Sequence, residues 1–144
     1  MTLTFVDAGV LIAAARGGDE QARRAMAILD DPSREFAASS FLRLEVLPQA
    51  AFNRRAAETA FYEEFFGSVR KWATDLAAIV AAAESEASTY GVEAMDALHI
   101  AAAANVSAAE FITTEKPTRS IHRARSIRVV TIYPTDSGSG RSER

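Results

Sequence analysis

The chain has 144 residues, 49% of them hydrophobic and 24% charged, with a formal net charge of −3; that is enough for one domain with its own core, and it excludes wholesale disorder. It contains no cysteine and only two histidines, His99 and His122. This excludes a disulfide framework, a thiolate nucleophile and a cysteine- or histidine-rich zinc site, so a bound metal is expected on oxygen ligands, as magnesium or manganese prefers.

No apolar run approaches the roughly 18 residues of a membrane span, and no basic leader precedes the first apolar stretch, so a cytoplasmic protein without a membrane anchor is expected. That first stretch, Leu3 to Val6, is too short for a helix and suits a buried strand. Asp7-Ala8-Gly9 breaks it, and Val10 to Ala15 continues as a helix that stops at Gly17-Gly18. In α/β units of this kind ligands gather beyond the carboxyl ends of the strands, where Asp7 stands; the same residue suits a helix N-cap. Asp19 to Leu29 forms a second helix with Ala22, Met26 and Leu29 on one stripe, and Glu35 to Ser39 a second strand. Ser39 or Ser40 caps the helix Phe41 to Phe52, in which Pro48 removes a backbone donor. Glu45 lies there between Leu44 and Val46, and a carboxylate among apolar residues needs a hydrogen bond, a cation or a metal.

The next helix, Arg54 to Phe66, carries Phe61, Tyr62, Phe65 and Phe66, a stripe suited to a core or a subunit interface. An abbreviated strand is expected at Trp72, then a long alanine-rich helix from Asp75 to Tyr90. Glu93 to Asn105, EAMDALHIAAAAN, is a second alanine-rich helix with Asp96 in its first turn and His99 on the same face. Phe111 to Thr113 reads as a strand that ends at Thr114-Glu115 as the first ends at Asp7. A short basic helix over Thr118 to Arg125 and a final strand over Ile127 to Ile132 complete a domain of residues 1–134. Residues 135–144, polar and Gly/Ser-rich, are expected to be a disordered tail. Strands joined by helical crossovers imply an α/β protein with a parallel sheet.

Four acids stand out by position: Asp7, Glu45, Asp96 and Glu115. Two follow predicted strands and two sit on helices among apolar residues. Carboxylates gathered without basic partners repel one another unless a divalent cation joins them. Such a cation takes some carboxylate oxygens, keeps waters, and can activate one of them to cut a phosphodiester. No phosphate-binding glycine loop, nucleophile elbow or HExxH motif competes with that reading.

Taken together, FVDAGVLIAA, SSFLRLEVLP, MDALHIAAAA and FITTEKP resemble a PIN domain, in particular the VapC-type toxin ribonucleases of bacterial toxin–antitoxin pairs, over residues 3–133. The resemblance implies a three-layer α/β/α sandwich around a parallel sheet, and Mg²⁺- or Mn²⁺-dependent endonucleolytic cleavage of RNA by metal-activated water. It matches Asp7, Glu45, Asp96 and Glu115 to the family's acidic metal site and Thr113 to its hydroxyl residue. Asp7 and Asp96 would be the principal ligands, Glu45 would complete or orient the site, and Glu115 would support a second ion or the bound water. His99 would pack against the sheet and orient Asp96. The chain departs from the pattern at Ala8 and Gly9, where the family usually has side chains that hydrogen-bond, and at Glu115, where Asp is more usual.

Between Lys116 and Arg128 five basic residues and no acid occur, so the remainder of the chain carries −8. Lys116, Arg119 and Arg123 are the expected contacts for RNA phosphates or for an acidic antitoxin segment, with Arg125 and Arg128 alongside. The partners expected are an RNA substrate, a cognate antitoxin and a second copy of the chain, the last on the surface around Phe61, Phe65 and Phe66. Two other readings stay open: a catalytically weak PIN-like module that binds RNA or protein, and a receiver-like phospho-acceptor domain, which lacks the adjacent acidic pair expected after its first strand.

Overall fold

The computed structural model describes residues 1–134; the expected tail over 135–144 lies outside them. Five strands form one parallel sheet in the order β3-β2-β1-β4-β5. They are β1 (Thr2–Val6), β2 (Arg34–Ser39), β3 (Lys71–Ala73), β4 (Glu110–Thr113) and β5 (Val129–Thr131). Six α-helices connect them: α1 (Ala8–Arg16), α2 (Glu20–Leu29), α3 (Ser40–Phe52), α4 (Ala56–Gly67), α5 (Leu76–Tyr90) and α6 (Ala94–Asn105). Helices α1 to α4 pack on one another, while α5 and α6 pair with each other and α6 lies over β2, β3 and β4. Strand order runs outward from β1 to β3, then jumps back across β1 to β4. With right-handed crossovers this reversal sends α5 and α6 to the opposite face, giving the three-layer α/β/α sandwich expected.

The sheet is buried on both faces, which is why its strands read as continuous apolar runs. Phe5, Val6, Phe111 and Ile112 are sealed from solvent, and the register Phe5↔Phe111 stacks two rings at 5.6 Å. At the amino edge, buried Glu110 accepts from Thr4 Oγ1 at 2.8 Å and from Arg34 Nε at 2.9 Å, so its charge is fully partnered. The alanines of α6 let the helix approach the sheet closely: Ala97, Ala101, Ala102 and Ala103 are all buried.

Two elements differ from expectation. The stretch Thr118 to Arg125 is only a 3₁₀ turn, Ser120–Arg123. Buried Glu86 on α5 takes the Arg125 N–H at 2.6 Å and the Ser126 hydroxyl, pulling the chain away from a helical path. The last strand shrinks to Val129–Thr131 because its neighbour β4 offers only residues Phe111 to Thr113 for pairing. Helix α3 runs unbroken through Pro48; the carbonyl that proline leaves unbonded is that of Leu44, whose residue is 68% exposed, so water can satisfy it. The short strand expected at Trp72 is β3, at the edge of the sheet.

Candidate active site at the carboxyl edge of the sheet

Strand β1 delivers Asp7 to the carboxyl edge beside β4. The ladder pairs Val6 with Ile112 and continues through the Asp7 N–H, which donates to the Ile112 carbonyl at 3.0 Å. The next residue of β4 is Thr113, so its hydroxyl falls against Asp7 and donates to Oδ2. The other oxygen, Oδ1, accepts from Val10 N–H at 3.2 Å as the N-cap of α1. Cap and site residue are thus one carboxylate, locked at both oxygens. The Thr113 hydroxyl in turn accepts from the Glu115 N–H at 3.1 Å, tying the segment after β4 to Asp7.

Helix α6 ends near the strand starts, where the Val106 carbonyl takes Lys71 Nζ at 3.0 Å and Ala109 N–H donates to the Leu3 carbonyl at 2.8 Å. Its first turn therefore lies at the carboxyl edge, and Asp96 with it. Helix α3 starts at the same edge, directly after β2, and brings Glu45 in its second turn. His99, 2% exposed and 6.3 Å from the Phe5 ring, donates through Nε2 to the carboxylate of Glu45 at Oε1, 2.7 Å away. Its hydrogen bond orients Glu45 and not Asp96, because the α3 side chain reaches the ring across the interface between α3 and α6. Glu45 itself is exposed despite its apolar neighbours in sequence, so the group that needs this bond is the buried imidazole.

Burial pushes the Asp7 carboxyl up to about 6; the bonds from Thr113 and Val10 and the proximity of His99 offset part of that rise, and Asp96 adds to it. Asp96 is likewise raised to about 6, first by burial, then by Glu93 and Glu115, with a further push from Glu45 that His99 opposes. His99 holds the Glu45 carboxyl below its ordinary range. All four singled-out acids therefore share one electrostatic field, with Glu93 as a fifth. No basic residue bonds to Asp7 or Asp96 among the described residues, in contrast to Glu110 at the other edge. Glu93, read from the sequence as the first residue of this helix, is its N-cap and lies three positions before Asp96, close enough to repel it.

The donor set suits a hard divalent cation in chemistry and in charge: carboxylate oxygens, partly buried, repelling one another. It is not a closed cage. Among the described residues no three His, Asp or Glu side chains converge as ready metal ligands. Glu45 is drawn to His99, and Glu115 pairs with Arg119 at 3.4 Å. Asp7 and Asp96 fit as ligands; Glu45 and Glu115 would have to turn, or act through water.

The expected phosphate contacts are dispersed. Arg119 is engaged by Glu115, the Arg123 guanidinium donates to the Gly91 carbonyl at 3.2 Å at the end of α5, and Lys116 lies over the Tyr133 ring. On the other side of Glu45 a recess is lined by Arg16, Gln49, Asn53, Arg55 and Glu58; no motif marked its two arginines, and both pair with Glu58. Phe65 and Phe66 are buried and Phe61 partly so, packing against neighbouring rings and the core; the aromatic surface expected for a dimer is core instead. The more exposed apolar side chains of the helices are elsewhere, at Leu44 and Phe52 on α3 and Leu76 and Val80 on α5, while the less exposed Met26 and Trp72 lie beside the α4 aromatics. No helix among the described residues is long and apolar enough to cross a membrane.

Three solved structures share this fold. VapBC2 from Rickettsia felis, bound to a DNA fragment from their promoter, aligns with a TM-score of 0.67 at 11% identity, covering 90% of this chain and 98% of the other. DNA-bound VapBC from Salmonella typhimurium gives 0.65 at 21% identity, covering 91% and 98%. FitAcB from Neisseria gonorrhoeae gives 0.58 at 22%, covering 88% and 95%. Among curated proteins, none matches the sequence. The PIN domain family profile matches residues 4–121, from β1 through the site strand β4 into the turn beyond it. With that match over most of its length, and with the fold and the acidic edge in place, the chain belongs to the PIN domain family.

Proposed function

We propose that the chain is a Mg²⁺- or Mn²⁺-dependent endoribonuclease, the toxin half of a toxin–antitoxin pair. One observation carries this reading: Asp7 and Asp96, both pushed to about 6, lie at the same edge with no arginine or lysine bonded to either among the described residues. A divalent cation is the missing countercharge, and when bound it supplies neutralisation of the scissile phosphate and a more acidic water. The chain's own part is positional. Thr113 and the Val10 N–H fix the two oxygens of Asp7, so that carboxylate is preorganised. Asp96 projects from the first turn of α6 with its charge uncompensated, and His99 fixes Glu45 at the rim.

The test joins binding to cleavage. Calorimetry is expected to show Mg²⁺ or Mn²⁺ binding that Asp7→Asn and Asp96→Asn each remove, with RNA cleavage lost in step. Cleavage that persists in EDTA, or in both variants, overturns the reading.

A second reading, a PIN-like module that binds RNA or protein without cutting, is favoured by the open arrangement of the four acids and the engagement of Glu45 and Glu115 by other residues. No heat of binding at millimolar metal decides for it. The toxin assignment also entails an antitoxin, in keeping with the two-component VapBC and FitAcB neighbours, and a homodimer. Light scattering of the chain alone and of the co-expressed pair tests both; a monomer with no stable partner counts against them.

A further inference from the structure

Gly9, in the first turn of α1, has no side chain because another residue occupies that space. A Cβ built on Gly9 would overlap the Thr114 Oγ1, and would stand 3.4 Å from Thr114 Cβ and 3.3 Å from Asp7 Oδ1. Thr114 follows the end of β4, is half-buried, and reaches across to α1. The two adjacent threonines divide the work. Thr113 spends its hydroxyl on Asp7 Oδ2 and on the Glu115 N–H. The Thr114 hydroxyl has no hydrogen-bond partner among the described residues, though it lies on the Oδ1 side of the same carboxylate. A hydroxyl is at once a donor and an acceptor and rotates freely to suit its partner, so one left free between an acidic site and a helix start is poised for an incoming group.

We propose that Thr114 contacts substrate: its hydroxyl donates to a non-bridging oxygen of the RNA phosphate brought to Asp7, and Gly9 is glycine so that this hydroxyl can reach its place. This rests on the nuclease reading. The occupant is an anionic phosphate oxygen because the Thr113 donor is already spent on Asp7, which leaves the Thr114 hydroxyl as the free donor beside that carboxylate.

The test replaces Thr114 with its isostere. Thr114→Val keeps shape and removes the hydroxyl; Thr114→Ser keeps the hydroxyl. With a random-sequence oligoribonucleotide pool and Mg²⁺, Thr114→Val is expected to lower kcat/KM by about ten-fold or more, as loss of a hydrogen bond to a charged group does. Thr114→Ser stays near wild type, and both variants melt as wild type does. Equal kcat/KM for wild type and Thr114→Val overturns the proposal.

An exchange reads the geometry independently. Gly9→Ser alone is expected to lower the melting temperature through its clash with Thr114. Gly9→Ser with Thr114→Ala recovers that stability and returns a hydroxyl to the site from α1; an unshifted melting temperature for Gly9→Ser overturns the claim that Thr114 requires Gly9. Binding of the uncleavable 2′-deoxy form of the same pool separates the two readings. If wild type does not cleave but binds more tightly than Thr114→Val, the nuclease reading falls and the Thr114 contact stands. If wild type cleaves while Thr114→Val binds and cleaves equally well, only the Thr114 contact falls; if wild type neither cleaves nor binds, both fall.

Discussion

Asp7 does two jobs whose demands conflict. As the cap of α1 it is held by hydrogen bonds, which favour its charged form; as a buried carboxylate beside Asp96 it is pushed toward neutrality, and burial prevails, from an ordinary 3.8 to about 6. Folding therefore tightens its hold on the proton. The corresponding stability is fully present below about pH 3.8 and is lost as pH rises through about 6. A rise of that size corresponds to about 3 kcal/mol at neutral pH. Asp7→Asn keeps an acceptor for Val10 without the charge, so the metal-free variant is expected to be more stable than wild type by about 1–3 kcal/mol at pH 8, and no more stable at pH 4; urea titrations at the two pH values check this. Glu45 shows the opposite balance. It gives the buried His99 ring its only hydrogen bond among the described residues, where Nδ1 is buried without a partner. Glu45→Ala leaves the ring wholly unpaired and is expected to cost about 1–3 kcal/mol, whereas Glu45→Gln, still an acceptor, is expected to lose much less. Equal midpoints for the two variants would show that the bond contributes nothing.

At the scale of elements, the segment after β4 depends on a helix on the far face. Buried Glu86 of α5 accepts from the Arg125 N–H and the Ser126 hydroxyl, while Arg123 caps the end of α5 through the carbonyl of Gly91. These contacts set the path from the 3₁₀ turn to β5. Glu86→Ala is expected to destabilise the protein by about 2–3 kcal/mol and to raise amide hydrogen exchange first in residues 119–128, which mass-resolved exchange can locate. This tether also marks where the sequence stops being legible. Strands β1 and β4 and the amphipathic helices could be read because their patterns are local. Thr118 to Arg125 has helical composition, yet the Arg125 N–H goes to Glu86 and the Arg123 guanidinium to the Gly91 carbonyl, partners more than thirty positions away that no periodicity records. The site divides in the same way. Asp7 and Asp96 could be picked out by their places at a strand end and in a helix start. The pairing of His99 with Glu45 and the threading of Thr114 into the space at Gly9 are contacts between elements. The aromatics of α4 misled for a related reason: composition marks them as apolar, and only packing decides whether that face is core or surface.

The molecule as a whole treats its two sheet edges differently. At the amino edge Glu110 is matched by Arg34, with Arg128 nearby; at the carboxyl edge Glu45 meets His99 and Glu115 meets Arg119, while Asp7 and Asp96 have no basic side chain bonded to them among the described residues. Stability is thus surrendered at one end alone, as expected of a site awaiting a cation. Two pH dependences of opposite sign follow. Without metal, Asp7 and Asp96, both raised to about 6, make the fold less stable as pH climbs from about 4 to 7. With Mg²⁺ or Mn²⁺ present, ligation requires the deprotonated carboxylates, so stabilisation by the ion grows over the same interval. At a metal concentration one hundred times Kd the gain is about 2.7 kcal/mol, worth roughly 5–10 °C in melting temperature for a domain near 150 residues. Melting curves at pH 5 and pH 8, with EDTA or with Mn²⁺, should therefore separate widely at pH 8 and converge at pH 5. Asp7→Asn and Asp96→Asn should each abolish the separation while melting at or above the wild-type temperature in EDTA. If Mn²⁺ shifted the curves equally at both pH values, or shifted the variants as it shifts wild type, the ion would be binding elsewhere, and the two aspartates would be a strained structural pair with no claim on a metal.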